Sequence, residues 1–111
     1  KKYIKLFGKG EERRDHIHVN DVGEIIYFLI QKRYVGTINL VTGKIISFFK
    51  IAKIIKDIYG IKIKYIKRNG PMPHNGYRAF NNNLLKKVLP NNKKLIHLPD
   101  WLKKKEKYKK K

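Results

Sequence analysis

Hydrophobic and polar positions change period several times along this chain. Tyr3-Ile4-Lys5-Leu6-Phe7 alternates loosely and stops at Gly8-Lys9-Gly10, which predicts a short strand and a turn. Glu11 to Arg14 is a charged approach. His16 to Val19 alternates again, with Ile17 and Val19 on one side and His16 and His18 on the other, as in a second short strand. Val22, Ile25, Ile26 and Leu29 then fall at i, i+3, i+4 and i+7, the stripe of an amphipathic helix. Asp21 is its expected N-cap, Glu24 sits where a capping box wants an acid, and Lys32 and Arg33 suit the negative end of the dipole.

Gly36-Thr37-Ile38-Asn39-Leu40-Val41 reads as a strand that ends in a Thr42-Gly43 turn. Ser47 can cap a second helix, whose stripe is Phe48, Ile51, Ala52, Ile55, Ile58 and Tyr59; Gly60 ends it. Ile61 to Lys67 is the next strand. Strands and helices alternating β-α-β-α-β at this spacing predict an α/β fold with a parallel or mixed sheet and right-handed crossovers. So few strands leave sheet edges open, so neighbouring strands are expected beyond them.

The texture changes after Arg68. Asn69 to Gly76 is a Pro/Gly/Asn loop, and Tyr77-Arg78-Ala79-Phe80 a short extended piece. Leu84, Leu85, Val88 and Leu89 share a face of a short helix capped by Asn81 or Asn82 and stopped by Pro90. A last helix starts at Pro99-Asp100 and passes through Trp101 and Leu102 into lysines, where it should fray. Three regions result: a 1–67 βαβαβ segment, a 68–102 loop with short helices, and a 103–111 basic disordered tail.

The 111 residues form one modest domain at most. Cysteine is absent, which removes disulfides, thiolate metal sites and thiol nucleophiles. No apolar run reaches the roughly 20 residues of a membrane span, and no signal peptide is visible, so a cytoplasmic protein with no membrane partner is expected. The first residue is not Met and a strand begins almost at once, which reads as a chain that starts partway through a larger design. The net charge is +20, from 28 basic and 8 acidic residues. A small basic nucleic-acid-binding protein is one reading of that charge. The plainer one is codon bias, because Lys, Ile and Asn are all abundant and many lysines lie in the tail; contact with nucleic acid is then only non-specific.

Four groups of polar residues carry candidate chemistry. Arg13 and Arg14 beside Asp15 are either a fork for phosphate oxygens or surface arginines with an Asp partner. His16 and His18 could share a metal, but no third ligand has clear spacing, and framework hydrogen bonding is the simpler role. Gly8-Lys9-Gly10 is not a dinucleotide loop, since the third glycine position is Arg13 and a strand follows. Arg68, Tyr77 and Arg78 bracket the Pro/Gly loop and suit an anionic, ring-bearing ligand, or simply make a basic loop. No Ser/His/Asp, Cys/His or paired-carboxylate set has interpretable spacing.

Gly8 through Val22 resembles a motif of the extended short-chain dehydrogenase/reductase superfamily, the NAD(P)-dependent nucleotide-sugar epimerases and dehydratases. The family pattern is a Gly-containing turn and then Arg-Asp-aromatic-(Ile/Val)-His-Val-x-Asp-(Val/Leu)-Ala. His16 stands for the aromatic and Gly23 for the Ala. Gly36 to Gly43 looks like the family's Gly-x-Tyr-Asn-(Ile/Val)-Gly-(Thr/Ser)-Gly segment, and Ser47 onward resembles the helix after it. Arg68-Asn69-Gly70-Pro71 is similar to Arg-Pro-Gly-(Asp/Glu), and Asn81 to Lys87 to a later helix whose Asp and Ser are lost.

The resemblance implies a partial Rossmann-like segment with a small substrate-binding region, from the C-terminal part of such an enzyme. Arg14 and Arg68 would face the diphosphate of a nucleotide-sugar, while the residues alone bring in Tyr77 and Arg78. The family's cofactor loop is missing, and no Tyr is followed by Lys four residues later, so no catalytic residue is assigned. NAD(P) is expected of the complete enzyme and none of this segment alone. The implied partners are the nucleotide-sugar and the missing Rossmann domain or a second copy of the chain.

Overall fold

A computed structural model describes residues 2–91 and 93–109, and side chains within the last helix as far as Lys104. Among the described residues five strands and four helices follow in order: β1 (Tyr3–Phe7), β2 (Arg13–Asp15), α1 (Val19–Gln31), β3 (Ile45–Ser47), α2 (Phe48–Tyr59), β4 (Lys62–Ile66), β5 (Tyr77–Arg78), α3 (Asn83–Val88) and α4 (Leu98–Lys109). A 3-10 turn at Pro73–Gly76 leads into β5. The strands form two small sheets. β1 and β4 pair in parallel, with α2 packed on them. β2 is the middle strand of the other sheet, antiparallel to β3 and parallel to β5. The chain is therefore α/β with a mixed set of strands.

α2 forms where its stripe predicts. The Ser47 hydroxyl accepts from Lys50 N at 3.1 Å, and Gly60 closes the helix at φ 68°, a conformation that costs a residue without Cβ little. The Gly8–Gly10 turn is tied to β4 and to the start of α2. Gly8 N donates to Ile66 O at 2.8 Å, and Phe49 N to Gly10 O at 2.8 Å. The buried apolar residues, Leu6, Ile25, Val41, Ile46, Ala52 and Leu85, come from five separate elements and, at Val41, from irregular chain. They do not gather into a thick core. The molecule measures 50 × 42 × 18 Å, with a radius of gyration of 17.0 Å.

Several expectations are corrected. The second strand is Arg13–Asp15, and His16 to His18 leave the sheet. Its charged residues are extended because their backbone is paired on both sides, a tertiary constraint that overrides residue preference. α1 accordingly starts at Val19. Its cap is His18, whose Nδ1 accepts from Asn20 N at 3.0 Å. Asp21 lies inside the first turn, 2% exposed, and accepts from Ile96 N at 2.6 Å instead. α1 ends at Gln31; Lys32 is the C-cap and Arg33 turns to φ 52°.

Gly36 to Val41 has no ladder partner among the described residues and is irregular chain; the strand of this region is Ile45–Ser47. The last helix continues through Lys103 to Lys109, where the sequence predicts a disordered tail; Lys110 and Lys111 lie outside the described residues. None of the helices in the described residues is long and apolar enough to cross a membrane.

Candidate functional site

β2 and β5 bring three of the predicted site residues together. In the parallel register Arg13 stands opposite Tyr77 and Arg14 opposite Arg78. The Arg13 guanidinium lies 5.6 Å from the Tyr77 ring centroid, Arg14 lies 5.9 Å from Phe48, and Arg78 lies 5.2 Å from Phe80. Stacking of this kind holds a planar guanidinium while leaving its N–H edge free to donate. Arg14 Nη1 donates to Arg13 O at 2.8 Å. Arg78 Nη1 lies 2.8 Å from His74 Nε2, and since arginine only donates, that ring nitrogen accepts.

Among the described residues no carboxylate forms an ion pair with Arg13, Arg14 or Arg78. Asp15, the natural candidate, is engaged elsewhere. Its Oδ1 accepts from Thr42 N at 3.0 Å and Thr42 Oγ1 at 2.6 Å, and its Oδ2 from Gly43 N at 2.8 Å. The reading of Arg13 and Arg14 as surface residues paired with Asp15 is therefore replaced: Asp15 fastens the Thr42-Gly43 turn to β2. Gly43 sits at φ 80°, which strains a residue with a Cβ, and the Asn82 amide would have to move to admit one.

Arg68 is placed differently. It follows β4 and reaches the Gly8 turn, where Nη1 donates to Glu12 Oε2 at 2.7 Å and Nη2 to Glu12 Oε1 at 2.9 Å. Nη2 also donates to Phe7 O at 2.7 Å and approaches Glu11 Oε1 at 3.4 Å. The bond from Arg68 holds the Glu12 carboxyl below the ordinary value of 4.5. Glu11 is also lowered, first by the Lys9 backbone N–H and then by Arg68. In return Glu12 raises Arg68. Arg68 is thus a partnered cation, in contrast to the arginines of β2 and β5.

A cleft of about 910 Å³ opens beside this turn, between Gly8, Gly10, Phe49 and Tyr65. It includes none of the four predicted site residues. A dinucleotide needs an open glycine cradle between a strand and a helix. Here the turn joins two strands, and a Cβ on Gly10 would meet Phe49 N at 2.9 Å, so the chain's own backbone fills that space. The turn does not fit a pyrophosphate.

Sequence reasoning missed Phe48, Phe80 and His74 as the groups that position the arginines. The Phe48 signal was present, since it follows the cap Ser47 and falls within reach of β2 once β3 is recognised. The two histidines of the opening motif separate. His18 caps α1 and lies 5.8 Å from the Trp101 ring, while His16 Nδ1 is buried without a hydrogen-bond partner among the described residues. Among the described residues no three His, Asp or Glu side chains are placed to hold a common metal ion.

Residues 1–41 match the model of the NAD dependent epimerase/dehydratase family. No curated protein sequence matches the chain. Solved structures share its fold. The UDP-N-acetylglucosamine 4-epimerase from Methanobrevibacter ruminantium M1, in complex with UDP-N-acetylmuramic acid, is 23% identical over 96% of this chain, with a TM-score of 0.73. The UDP-glucose 4-epimerase from Thermotoga maritima with UDP-glucose is 20% identical over 98%, with a TM-score of 0.70. The GDP-mannoheptose C4 reductase from Campylobacter jejuni with NADP bound is 22% identical over 99%, with a TM-score of 0.68. The matches cover 34%, 35% and 33% of those chains, so this chain spans about a third of their length.

Proposed function

We propose that this chain is the substrate-side, C-terminal portion of an NAD(P)-dependent nucleotide-sugar epimerase or dehydratase, and that Arg14 and Arg78 hold the diphosphate of the nucleotide-sugar. The observation that carries this reading is their register. The two arginines stand opposite each other on parallel strands, and no described carboxylate forms an ion pair with either, although Arg14 is near enough to Glu12 for their charges to interact. Like charges placed side by side are costly unless an anion joins them, and guanidinium forks match phosphate oxygens. Tyr77, next to Arg78 and under Arg13, offers a ring and a phenol to the rest of the ligand. Arg68 supplies a further cation only when Glu12 releases it.

In this reading residues 1–67 complete the larger fold and residues 68–102 form the substrate side. The redox chemistry comes from NAD(P) bound by the remainder of the enzyme, as a further part of the polypeptide, a separate chain or a second copy, in the cytoplasm. In this reading the chain's own residues bind and orient, and proton exchange with the sugar is assigned to the remainder of the enzyme. The family match over residues 1–41 and the shared fold with nucleotide-sugar enzymes support the assignment.

The test is ligand-induced stabilisation. UDP-, GDP- and dTDP-sugars should raise the melting temperature, free sugars should not, and Arg14→Ala or Arg78→Ala should abolish the shift. Absence of any shift with all three nucleotide-sugars overturns the reading.

A further inference from the structure

The turn before β5 holds an imidazole against one of the two arginines assigned to phosphate. His74, Asn75 and Gly76 follow one another in the left-handed region, at φ 53°, 54° and 76°. Few residues with a Cβ adopt that conformation, though His and Asn tolerate it better than most. The fold fixes the turn. Asn75 N donates to Met72 O at 3.1 Å, Tyr77 N donates to His74 O, and Gly76 is buried with Met72 Sδ 2.8 Å from where a Cβ would stand. The outcome is His74 Nε2 at 2.8 Å from Arg78 Nη1, accepting from it, so that this ring nitrogen carries no proton.

The charges around the ring are of one sign. Arg78 faces it from β5, and Arg13 and Arg14 stand on the adjoining strand β2. Residues 58–99 contain no Asp or Glu. Of the acids on or beside β2, Glu12 is held by Arg68 and Asp15 by Thr42 and Gly43.

We propose that His74 takes up a proton when the diphosphate of a nucleotide-sugar binds Arg14 and Arg78, and becomes a third donor to it; this rests on the nucleotide-sugar reading above. In the free chain a second positive charge beside Arg78 is opposed by like-charge repulsion, and it would cost the ring its hydrogen bond. A bound diphosphate reverses both terms. Its negative charges favour the imidazolium. A phosphate oxygen that takes the Arg78 Nη1 hydrogen bond also brings a second acceptor up to Nε2, a repulsive contact that protonation turns into a charge-assisted hydrogen bond.

The experiment is calorimetric titration of the full chain with UDP-, GDP- and dTDP-glucose at about pH 6.5, where an ordinary imidazole changes charge. These diphosphate diesters have no group of their own that titrates there. Buffers of different ionisation enthalpy should give different heats, with a slope of roughly 0.5 proton taken up per ligand, and affinity should rise about threefold per unit fall in pH. His74→Gln keeps an oxygen that can accept from Arg78 but binds no proton, so the slope should vanish and the pH profile flatten. His74→Asn, which suits the left-handed backbone, should do the same. Binding by the parent with heats independent of buffer rejects the role of His74 alone, as does a slope that persists in both variants. No binding of any of the three ligands rejects the nucleotide-sugar reading and this inference with it. Should both variants fail to fold, the His74 ring resonances of the parent decide: movement to the imidazolium position on adding ligand supports proton uptake, and unmoved resonances reject it.

Discussion

The Arg68 guanidinium grips Glu12 with two hydrogen bonds, 2.7 and 2.9 Å long, across 56 positions of sequence. Glu12 is only 8% exposed, so the pair is largely out of water. Arg68 holds the Glu12 carboxyl below its ordinary 4.5 in the folded chain. A depressed carboxyl stabilises the fold fully above its unfolded value and loses that contribution as pH falls through the folded one. Melting temperature should therefore decline as pH drops below about 4.5. Glu12→Gln should melt roughly 5 °C lower near neutral pH and show a flatter acid limb. An acid limb identical to that of the parent would reject the linkage.

The same pair should restrain ligand binding. Arg68 cannot serve phosphate and Glu12 at once. Under the proposed function, Glu12→Gln frees the guanidinium and should tighten inorganic pyrophosphate binding by roughly tenfold, the size of one charge-assisted hydrogen bond. Calorimetric titration measures this directly. Weaker binding in the variant would show that Glu12 supports the anion site rather than competing with it.

Asp15 accepts three hydrogen bonds from Thr42 and Gly43. Asp15→Ala should cost about 2–3 kcal/mol, because bonds to a charged acceptor are lost and the turn comes loose from β2. Asp15→Asn keeps one carbonyl oxygen and should cost about half as much. Chemical denaturation of the three proteins ranks them, and an Asn variant as weak as Ala would mean that charge, rather than geometry, holds the turn.

Asp21 joins α1 to the segment before α4. It accepts from Ile96 N and lies 3.5 Å from Lys93 Nζ, which also pairs with Glu24. Asp21→Ala leaves a part-buried N–H without its acceptor and should destabilise by about 1–3 kcal/mol. Lys93 is raised above 10.5, first by its hydrogen bond with Glu24. A raised cation contributes below its unfolded value and loses that contribution as pH rises through the folded one. Stability should therefore fall above about pH 10.5, and Lys93→Gln should remove that alkaline limb.

Helical periodicity and caps were legible wherever the local rule had no rival. α2 needed only Ser47, its stripe and Gly60; the cap and the closing glycine act as expected, and of the stripe Ala52 is buried while Tyr59 is exposed. The strands were harder to read, because a strand exists only where another backbone meets it. Arg13-Arg14-Asp15 looks like loop sequence and is the centre of a sheet. Gly36 to Val41 looks like a strand, yet no described segment pairs with it. The position of Asp21 depended on where α1 began, which His18 decides through a ring nitrogen that no capping rule anticipates. At the site, the sequence identified the arginines but not their states. Whether an arginine is free or paired depends on residues far along the chain, as Arg68 and Arg14 demonstrate.

The flatness of the molecule has a calorimetric consequence. A compact chain of 13.2 kDa exposes about 6,400 Å², whereas this one exposes 8762 Å². Much of what unfolding normally brings into contact with water is wet already. Since the heat capacity of unfolding tracks newly exposed apolar area, its increment should fall below the usual ~12–15 cal/mol/K per residue, and the stability curve should be correspondingly broad in temperature.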